Sequence, residues 1–280
     1  MIRVVFFGTP DFALPVFEAL LKADDIDVVG VVTQPDKPSG RGHEMTPSPV
    51  KVVGARHAVR VLQFPSLKKP EVVEALKKLE ADAFVVFSYG KMIPASVLSI
   101  PRLGCLNVHP SLLPLYRGPT PVPAAILRGD TKTGVSIMLL DEGMDTGPIL
   151  AQAVVNVLPN DTTPILMHRL IAEVGSPLLV ETLRRFASGQ IKPQPQDNAR
   201  ATICGLHDRE DGFIKGNESS DEIDRKIRAY FPWPGCYTIV KHNGKDLRVK
   251  LMPRGQVQPD GKKPMALSEF ERGYGRLFSR

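Results

Sequence analysis

Short unbroken runs of apolar residues alternate with amphipathic segments through the first half of the chain. The runs IRVVFF, DVVGVVT, ADAFVVFSYG and GCLNVHP are typical of strands that are buried on both faces of a parallel sheet. Between them, DFALPVFEALLK and EVVEALKKLE repeat apolar residues at helical spacing. Strands that alternate with helices over short connections predict a doubly wound, mostly parallel α/β sheet.

The pattern changes in the second half of the chain. GVSIMLLDEGMDTG and ILAQAVVNVLP predict two further strands around a loop, and residues 161–190 carry a helical stripe in which Pro177 predicts a kink. The following IKPQPQDNARAT is rich in proline and polar residues, so we interpret it as a linker. The chain is therefore predicted to divide into a larger domain, residues 1–203, and a smaller one, residues 204–280.

The smaller domain has its own pattern. SSDEIDRKIRAY predicts a capped amphipathic helix, and PWPG predicts a rigid turn. CYTIVKHNGKDLRVKL predicts a β-hairpin, because Asn243-Gly244 is the favoured residue pair for a two-residue hairpin turn.

Composition and charge exclude few classes of protein function. The chain has 280 residues, 42% of them hydrophobic, and a net charge of +6, which permits a polyanionic partner such as nucleic acid but does not require one. Its three cysteines lie far apart and show neither metal-site nor disulfide spacing. A signal peptide and a long apolar segment are both lacking, so we expect a soluble cytoplasmic protein without a membrane partner.

Polar side chains stand where predicted strands end. Asn107 and His109 are two residues apart in an extended segment, so their side chains point to the same side. Asp145 lies between Gly143 and Gly147 in a loop after another strand, where a carboxylate can reach the same cavity. The alternatives are an ordinary pair of satisfied strand-end groups and an ordinary turn aspartate.

An amide, an imidazole and a carboxylate together suit a reaction that forms an oxyanion. The amide and a protonated imidazole donate hydrogen bonds to the oxyanion, while the carboxylate holds the imidazole charged or relays a proton. The chain has no G-x-S-x-G nucleophile motif, and Asp141, Glu142 and Asp145 lack the spacing of a calcium loop. We therefore expect direct transfer between two bound substrates, with no metal.

The longest motif resembles a known family. NVHPSLLPLYRG followed by TGVSIMLLDEGMDTGPIL resembles the signature of folate-dependent formyltransferases, whose catalytic domain is Rossmann-like. The resemblance implies a catalytic trio of Asn107, His109 and Asp145, and it implies 10-formyltetrahydrofolate as co-substrate.

The same resemblance implies a folate site. In that family the SLLP run binds the folate, which here implies Ser111, Leu112, Leu113 and Pro114. To these we add Tyr89 and Gly90, which lie at the C-terminal end of a neighbouring predicted strand.

Three further stretches point to one branch of the family. FFGTPDFALPVFEALL, TQPDKPSGRGHEMTPSPVK and QPDGKKPMALSEF resemble the members that formylate the α-amine of methionine charged on initiator tRNA, a step that supports translation initiation. A fourth, EDGFI with IRAYFPWPG, is shared with sugar formyltransferases. The alternatives are a sugar-nucleotide N-formyltransferase and a non-catalytic protein that binds RNA or folate.

The loop DKPSGRGHE fits a role in binding tRNA. Gly40 and Gly42 free the backbone around Arg41, and Lys37 adds charge, so the loop can contact the end of an RNA acceptor stem. The alternative is a solvated surface loop. Glu44 departs from the family, which usually has another basic residue nearby, and this weakens the predicted contact.

The smaller domain also departs from the family. The resemblance implies an OB-like barrel, which requires five strands, yet residues 204–280 show one hairpin and then PRGQVQPDGKKPM. We therefore predict a shortened OB-like domain and leave open whether it anchors tRNA. We expect the protein to be a monomer.

Overall fold

The computed structural model describes residues 1–39 and 44–278. Its strands are β1 (Ile2–Phe7), β2 (Ile26–Thr33), β3 (Lys37–Ser39), β4 (Glu44–Thr46), β5 (Val61–Gln63), β6 (Ala83–Val86), β7 (Cys105–His109), β8 (Lys132–Leu139), β9 (Ile149–Asn156), β10 (Cys236–His242), β11 (Lys245–Met252), β12 (Gln256–Pro259) and β13 (Met265–Ala266). Its α-helices are α1 (Leu14–Leu21), α2 (Pro49–Arg56), α3 (Pro70–Lys77), α4 (Ala95–Leu98), α5 (Pro121–Arg128), α6 (Thr163–His168), α7 (Ser176–Ala187), α8 (Ser220–Ala229) and α9 (Leu267–Tyr274).

A seven-stranded sheet in the order β5-β2-β1-β6-β7-β8-β9 forms the centre of the larger part. The first five strands in this order are parallel, and β8 pairs antiparallel with β7. The prediction of a doubly wound, mostly parallel sheet is therefore confirmed. The chain runs outward from β1 to β2 and β5 and then returns to β6, so a topological switch point lies between β1 and β6. Sheets of this kind bind ligands beyond the strand ends at such a point.

The unbroken apolar runs are buried on both faces of this sheet. Val4, Val5, Phe6 and Phe7 of β1 are fully buried. The Phe6 ring stacks on Phe17 of α1 with 5.1 Å between centroids, which packs this helix against the sheet. Burial on both faces is what removes the period of two from the strand sequences.

Two helices that the hydrophobic pattern missed begin at prolines. α2 starts at Pro49, after Ser48 has accepted a hydrogen bond from the backbone N–H of Lys51. α5 carries Pro121 and Pro123 in its first turn. Proline suits the first turn of a helix, where its missing N–H has no intrahelical partner. In the sequence, however, the same residues indicate loops.

The predicted kink at Pro177 takes the form of a π-helical stretch, Arg169–Gly175, between α6 and α7. The N–H and the side-chain hydroxyl of Ser176 both donate to the carbonyl oxygen of Ile171, five residues earlier. Proline has no N–H to continue an α-helical ladder. The wider π turn therefore adjusts the helix just before the proline.

The segment that we interpreted as a linker is hydrogen-bonded to the unit that contains the seven-stranded sheet. Gln194 forms two backbone hydrogen bonds with Ile149 of β9, each of 2.8 Å. Further along, Thr202 accepts a backbone hydrogen bond of 2.8 Å from Arg117. The linker interpretation of residues 191–202 is therefore wrong.

The chain divides into two compact units. The first comprises residues 1–117, 134–155 and 168–202, and the second comprises residues 118–133, 156–167 and 203–280. The boundary near residue 204 stays a prediction, because the second unit also draws on two earlier segments. No helix within the described ranges is long and apolar enough to cross a membrane.

The second unit contains a four-stranded antiparallel sheet in the order β10-β11-β12-β13. The predicted hairpin is β10 with β11, and both of its turn residues, Asn243 and Gly244, have positive φ angles of 50° and 74°. β12 and β13 were not predicted. The resulting sheet is larger than one hairpin but has fewer strands than a five-stranded OB barrel.

Candidate active site

Strand β7 delivers the predicted amide and imidazole to one side of the sheet. Asn107 lies between Val86 of β6 and Met138 of β8, and His109 is paired with Ser136. Asn107 is half-buried, and its carboxamide makes no side-chain hydrogen bond to any residue that the structure describes. Its donor and acceptor atoms are therefore available to a substrate.

The ring of His109 is held in one orientation. Its Nε2 lies 2.9 Å from the carbonyl oxygen of Tyr116. A carbonyl oxygen only accepts, so Nε2 carries the proton in this hydrogen bond. Nδ1 faces Asp145, with 3.6 Å between Nδ1 and Oδ2. The structure thus brings the imidazole and the carboxylate together as the sequence predicted, and it leaves Nδ1 as the nitrogen open to reaction.

Burial lowers the pKa of His109, although the charge of Asp145 and the hydrogen bond with the Tyr116 carbonyl both act in the opposite direction. The imidazole is 4% exposed, so water does not stabilise its charged form. Burial therefore favours the neutral form of His109 in the resting site. That a protonated imidazole donates to the oxyanion during the reaction stays a prediction.

The same shift in pKa predicts how stability depends on pH. Below its ordinary pKa of 6.5, His109 binds fewer protons in the folded protein than in the unfolded chain. The contribution of the neutral imidazole to the free energy of unfolding is therefore complete above that pH and is lost as the pH falls. We expect the unfolding free energy of wild type to fall more steeply on acidification than that of His109→Gln. Urea unfolding at a series of pH values measures both slopes, and equal slopes would contradict the burial argument.

The loop that carries Asp145 is folded on itself. Asp141 Oδ1 accepts hydrogen bonds from the N–H of Gly143 at 3.0 Å and from Thr146 Oγ1 at 2.7 Å. Asp145 has a φ of 55°, in the left-handed region. A side chain on Gly147 would overlap the carbonyl oxygen of Leu139. These features fix the backbone that places the carboxylate.

Two residues that were not predicted as site residues support the backbone of this loop through hydrogen bonds. Gln196 Nε2 donates to the carbonyl oxygens of Asp145 and Gly147 at 2.8 and 2.7 Å. The Arg117 guanidinium donates to Gln196 Oε1 from Nε at 3.0 Å and from Nη2 at 2.8 Å. The only signal in the sequence was the position of Arg117 inside the long motif, since Gln196 stood in the supposed linker.

The SLLP segment is supported from β8. Ser136 Oγ donates to the carbonyl oxygen of Ser111 at 2.6 Å and accepts from the N–H of Leu113 at 3.0 Å. The Ser111 hydroxyl donates to the carbonyl oxygen of Leu115 at 2.6 Å. Ser111 and Leu113 are buried, and the half-buried side chains of the segment are Leu112 and Pro114. Folate binding by this segment stays a prediction, and it now depends on Leu112 and Pro114.

Tyr89 and Gly90 follow β6 at the switch point. The Tyr89 ring is buried in the core, at 5.5 Å from the Phe7 ring, and burial raises the pKa of its phenol to about 12. Its carbonyl oxygen accepts from Thr9 Oγ1 at 3.1 Å and from Gln34 Nε2 at 2.9 Å. The prediction that Tyr89 binds folate therefore concerns its backbone, because the ring is a packing residue.

An open groove of about 590 Å³ lies between α4 and the loop that carries Asp145. Apolar and acidic side chains both line it. The lining residues are Ala95, Leu98, Ser99, Leu140, Asp141, Glu142 and Gly143. The hydrophobic pattern gives no sign of this groove, because α4 has only four residues. No group of three or more His, Cys, Asp or Glu side chains in the described part of the chain is arranged to hold a metal ion.

Lys37, the described member of the predicted tRNA-binding pair, is exposed at the start of β3. The preceding Asp36 accepts from Lys51 Nζ at 2.6 Å and from Gln63 Nε2 at 2.7 Å. These hydrogen bonds lower the pKa of Asp36 and fix the base of the β3–β4 hairpin. Arg41 lies outside the described residues. The assignment of Lys37 and Arg41 to tRNA binding therefore stays a prediction.

Two family models match the chain. The model described as "Formyl transferase" matches residues 2–183, and the model described as "Formyl transferase, C-terminal domain" matches residues 207–256. The chain belongs to the formyl transferase family. The trio of this formyltransferase lies within the region matched by the first model.

Relatives of this formyltransferase share much of its sequence. It is 51% identical over 247 residues to "Methionyl-tRNA formyltransferase" of Chloroflexus aurantiacus, covering 88% of this chain and 78% of that one. It is 43% identical over 303 residues to the protein of the same name from Roseiflexus sp., covering 97% and 92%. That alignment is longer than this chain of 280 residues, so the relative contains segments that have no counterpart here.

Solved structures share the fold of this formyltransferase at much lower identity. "Methionyl-tRNA formyltransferase from Clostridium thermocellum" aligns with a TM-score of 0.63 at 15% identity, covering 95% of this chain and 100% of that one. A sugar N-formyltransferase from Shewanella aligns with a TM-score of 0.66 at 16% identity, covering 91% and 98%. At these identities the similarity shows the fold alone.

Proposed function

We propose that this chain transfers the formyl group of 10-formyltetrahydrofolate to the α-amine of methionine charged on initiator tRNA. The observation that carries the proposal is the 51% identity to a relative named for that activity, over 88% of the chain. The similarity to sugar N-formyltransferases is at 16% identity and bears on the fold only. We place the activity in the cytoplasm, on a monomer.

In the proposed reaction each member of the trio has its own step. The free amine attacks the formyl carbon, and the Asn107 carboxamide donates a hydrogen bond to the oxyanion that forms. His109 Nδ1, which has a lone pair at rest, takes the proton that the attacking amine loses. Asp145, 3.6 Å away, stabilises the resulting imidazolium. The C–N10 bond then breaks, and N10 of tetrahydrofolate leaves with the proton.

We propose that the groove beside α4 receives the flat ring system of the folate. Its volume of about 590 Å³ lies in the ordinary range of ligand sites. Ala95, Leu98 and Leu140 provide apolar contact for the ring, while Glu142 can accept hydrogen bonds from ring N–H groups. The loop that forms one wall also carries Asp145, so a folate in this groove lies beside the reacting pair.

The outer face of the C-terminal sheet is a candidate surface for RNA. Tyr237, Lys250 and Gln258 form one row across β10, β11 and β12, and the Arg248 guanidinium lies 3.7 Å from the centre of the Tyr237 ring. They line a cavity of about 290 Å³, and Asp260 lines it as well. Two cations beside an aromatic ring suit the phosphates and bases of RNA. We propose that this face contributes to tRNA binding despite the shortened domain.

A formyl-transfer assay with two acceptors tests the proposed function. Purified protein and 10-formyltetrahydrofolate are mixed either with charged initiator tRNA or with an amino-sugar nucleotide, and formylated product is measured. We expect product with the tRNA alone. Product with the sugar nucleotide alone would replace the proposal by the sugar reaction, and folate or RNA binding without product would favour a non-catalytic protein.

The Arg41 prediction concerns tRNA alone. Arg41→Ala should lower kcat/KM for charged tRNA by roughly tenfold, the size of one lost charged contact to nucleic acid, and leave folate affinity unchanged. The loss should shrink as salt rises, because salt screens the contact that wild type makes. Arg185→Ala on α7 is the control, since its guanidinium is exposed and faces Glu181 at 3.5 Å. An unchanged value for Arg41→Ala would make this a surface loop.

A further inference from the structure

We propose that Gln196 and Arg117 are positioning residues that set the separation of His109 and Asp145. This inference rests on the proposed catalytic roles of that pair. Both hydrogens of the Gln196 amide are used, one on the carbonyl oxygen of Asp145 at 2.8 Å and one on that of Gly147 at 2.7 Å. The backbone is thereby held on both sides of Thr146, so the direction of the Asp145 side chain depends on Gln196.

Arg117 decides which way the Gln196 amide points. Its guanidinium only donates hydrogen bonds, so the atom that receives Nε and Nη2 at 3.0 and 2.8 Å must be the amide oxygen. The NH2 group is then forced toward the two carbonyl oxygens of the loop. Arg117 is 7% exposed, and Nη2 also donates to Asn198 Oδ1 at 2.7 Å. Rotation of the Gln196 amide would therefore break its hydrogen bonds with the Arg117 guanidinium and with the two loop carbonyls.

The same strip of chain also supports His109. Tyr116, whose carbonyl oxygen holds His109 Nε2, donates its own N–H to Thr202 Oγ1 at 2.8 Å. The N–H of Arg117 donates to the carbonyl oxygen of Thr202, also at 2.8 Å. Residues 196–202 therefore hold the backbone behind the imidazole and the backbone behind the carboxylate. A misplacement of about 1 Å in such a pair costs about 10²-fold in rate.

The variant Gln196→Glu tests whether Gln196 positions the Asp145 loop through hydrogen bonds or only fills space beside it. Glutamate has the same shape and keeps the contact with Arg117, but it cannot donate to the carbonyl oxygens of Asp145 and Gly147. We expect kcat at saturating folate to fall by about 10–100-fold, in a protein that stays folded at the assay temperature. The acid limb of the kcat profile should also move to lower pH, because a displaced Asp145 raises the pKa of His109 less.

Gln194→Glu is the matched control, since Gln194 lies two residues earlier in the same strip and is exposed, and its side chain donates, among the described residues, only to the Lys192 carbonyl at 3.3 Å. It should keep the wild-type kcat and pH profile. If Gln196→Glu does not fold, Arg117→Lys is tested in its place. Lysine retains the positive charge but lacks the paired Nε and Nη2 donors that hold Gln196 Oε1. A folded variant of either kind with wild-type kcat and an unmoved acid limb would overturn the positioning role. Absence of transfer by wild type would instead refute the proposed function.

Discussion

His109→Ala is expected to lower kcat by about 10²–10³-fold or more, while the protein stays folded and binds folate. Nδ1 is the imidazole nitrogen that Tyr116 leaves open, and it lies 3.6 Å from Asp145 Oδ2. Alanine removes the proton acceptor for the attacking amine. It also removes the cation that would face the oxyanion, and no neighbouring group in the proposed mechanism replaces either.

Single-turnover assays with saturating folate and charged tRNA measure this effect directly. His57→Ala is the control, because His57 is an exposed histidine at the C-terminal end of α2. Circular dichroism and folate binding establish that both variants are folded. A kcat for His109→Ala within about threefold of wild type would refute the assignment of His109.

Asp145→Asn is expected to lower kcat by about 10²-fold or more, the range of a lost acid–base partner. The φ of 55° at this position suits asparagine, which adopts left-handed backbone readily, so the loop should keep its shape. The negative charge is lost, however. Because Asp145 raises the pKa of His109, its removal lowers that pKa further, and the imidazole holds the amine proton less well.

Two measurements distinguish catalysis from binding at Asp145. We expect the folate dissociation constant to change little and the acid limb of the kcat profile to move to lower pH. Asp221→Asn, an exposed carboxylate in the first turn of α8, should change neither quantity. Loss of folate affinity with a normal kcat at saturation would make Asp145 a binding residue.

The local pattern of the sequence was enough to predict the sheet and the reacting pair. Buried apolar runs identified its long parallel strands, and the period of two in β7 placed Asn107 and His109 on one side. The rule that ligands gather beyond strand ends then brought Asp145 to His109. Each step depended on neighbouring residues or on a general property of parallel sheets.

What the sequence did not predict depends on distant contacts. Gln196 holds a carbonyl oxygen 51 residues earlier in the chain, and its surroundings of prolines and polar residues carry no sign of this. The pKa of His109 likewise depends on burial by several elements, which the local sequence around it does not encode. In the C-terminal unit, Asn243-Gly244 encoded its hairpin locally, whereas β12 and β13, with four and two residues, are too short to show a hydrophobic pattern.

The hydrogen bond between His109 Nε2 and the Tyr116 carbonyl also constrains the timing of the reaction. With one nitrogen engaged, the ring has a single lone pair, and it cannot take a proton from the amine and give one to N10 at the same instant. In the proposed mechanism, formation of the new C–N bond and rupture of the old one are then separate events, with an intermediate of finite lifetime between them. The ¹⁵N isotope effect at N10 should accordingly change when deuterium oxide slows the second proton transfer, as it does in a stepwise acyl transfer and does not in a concerted one.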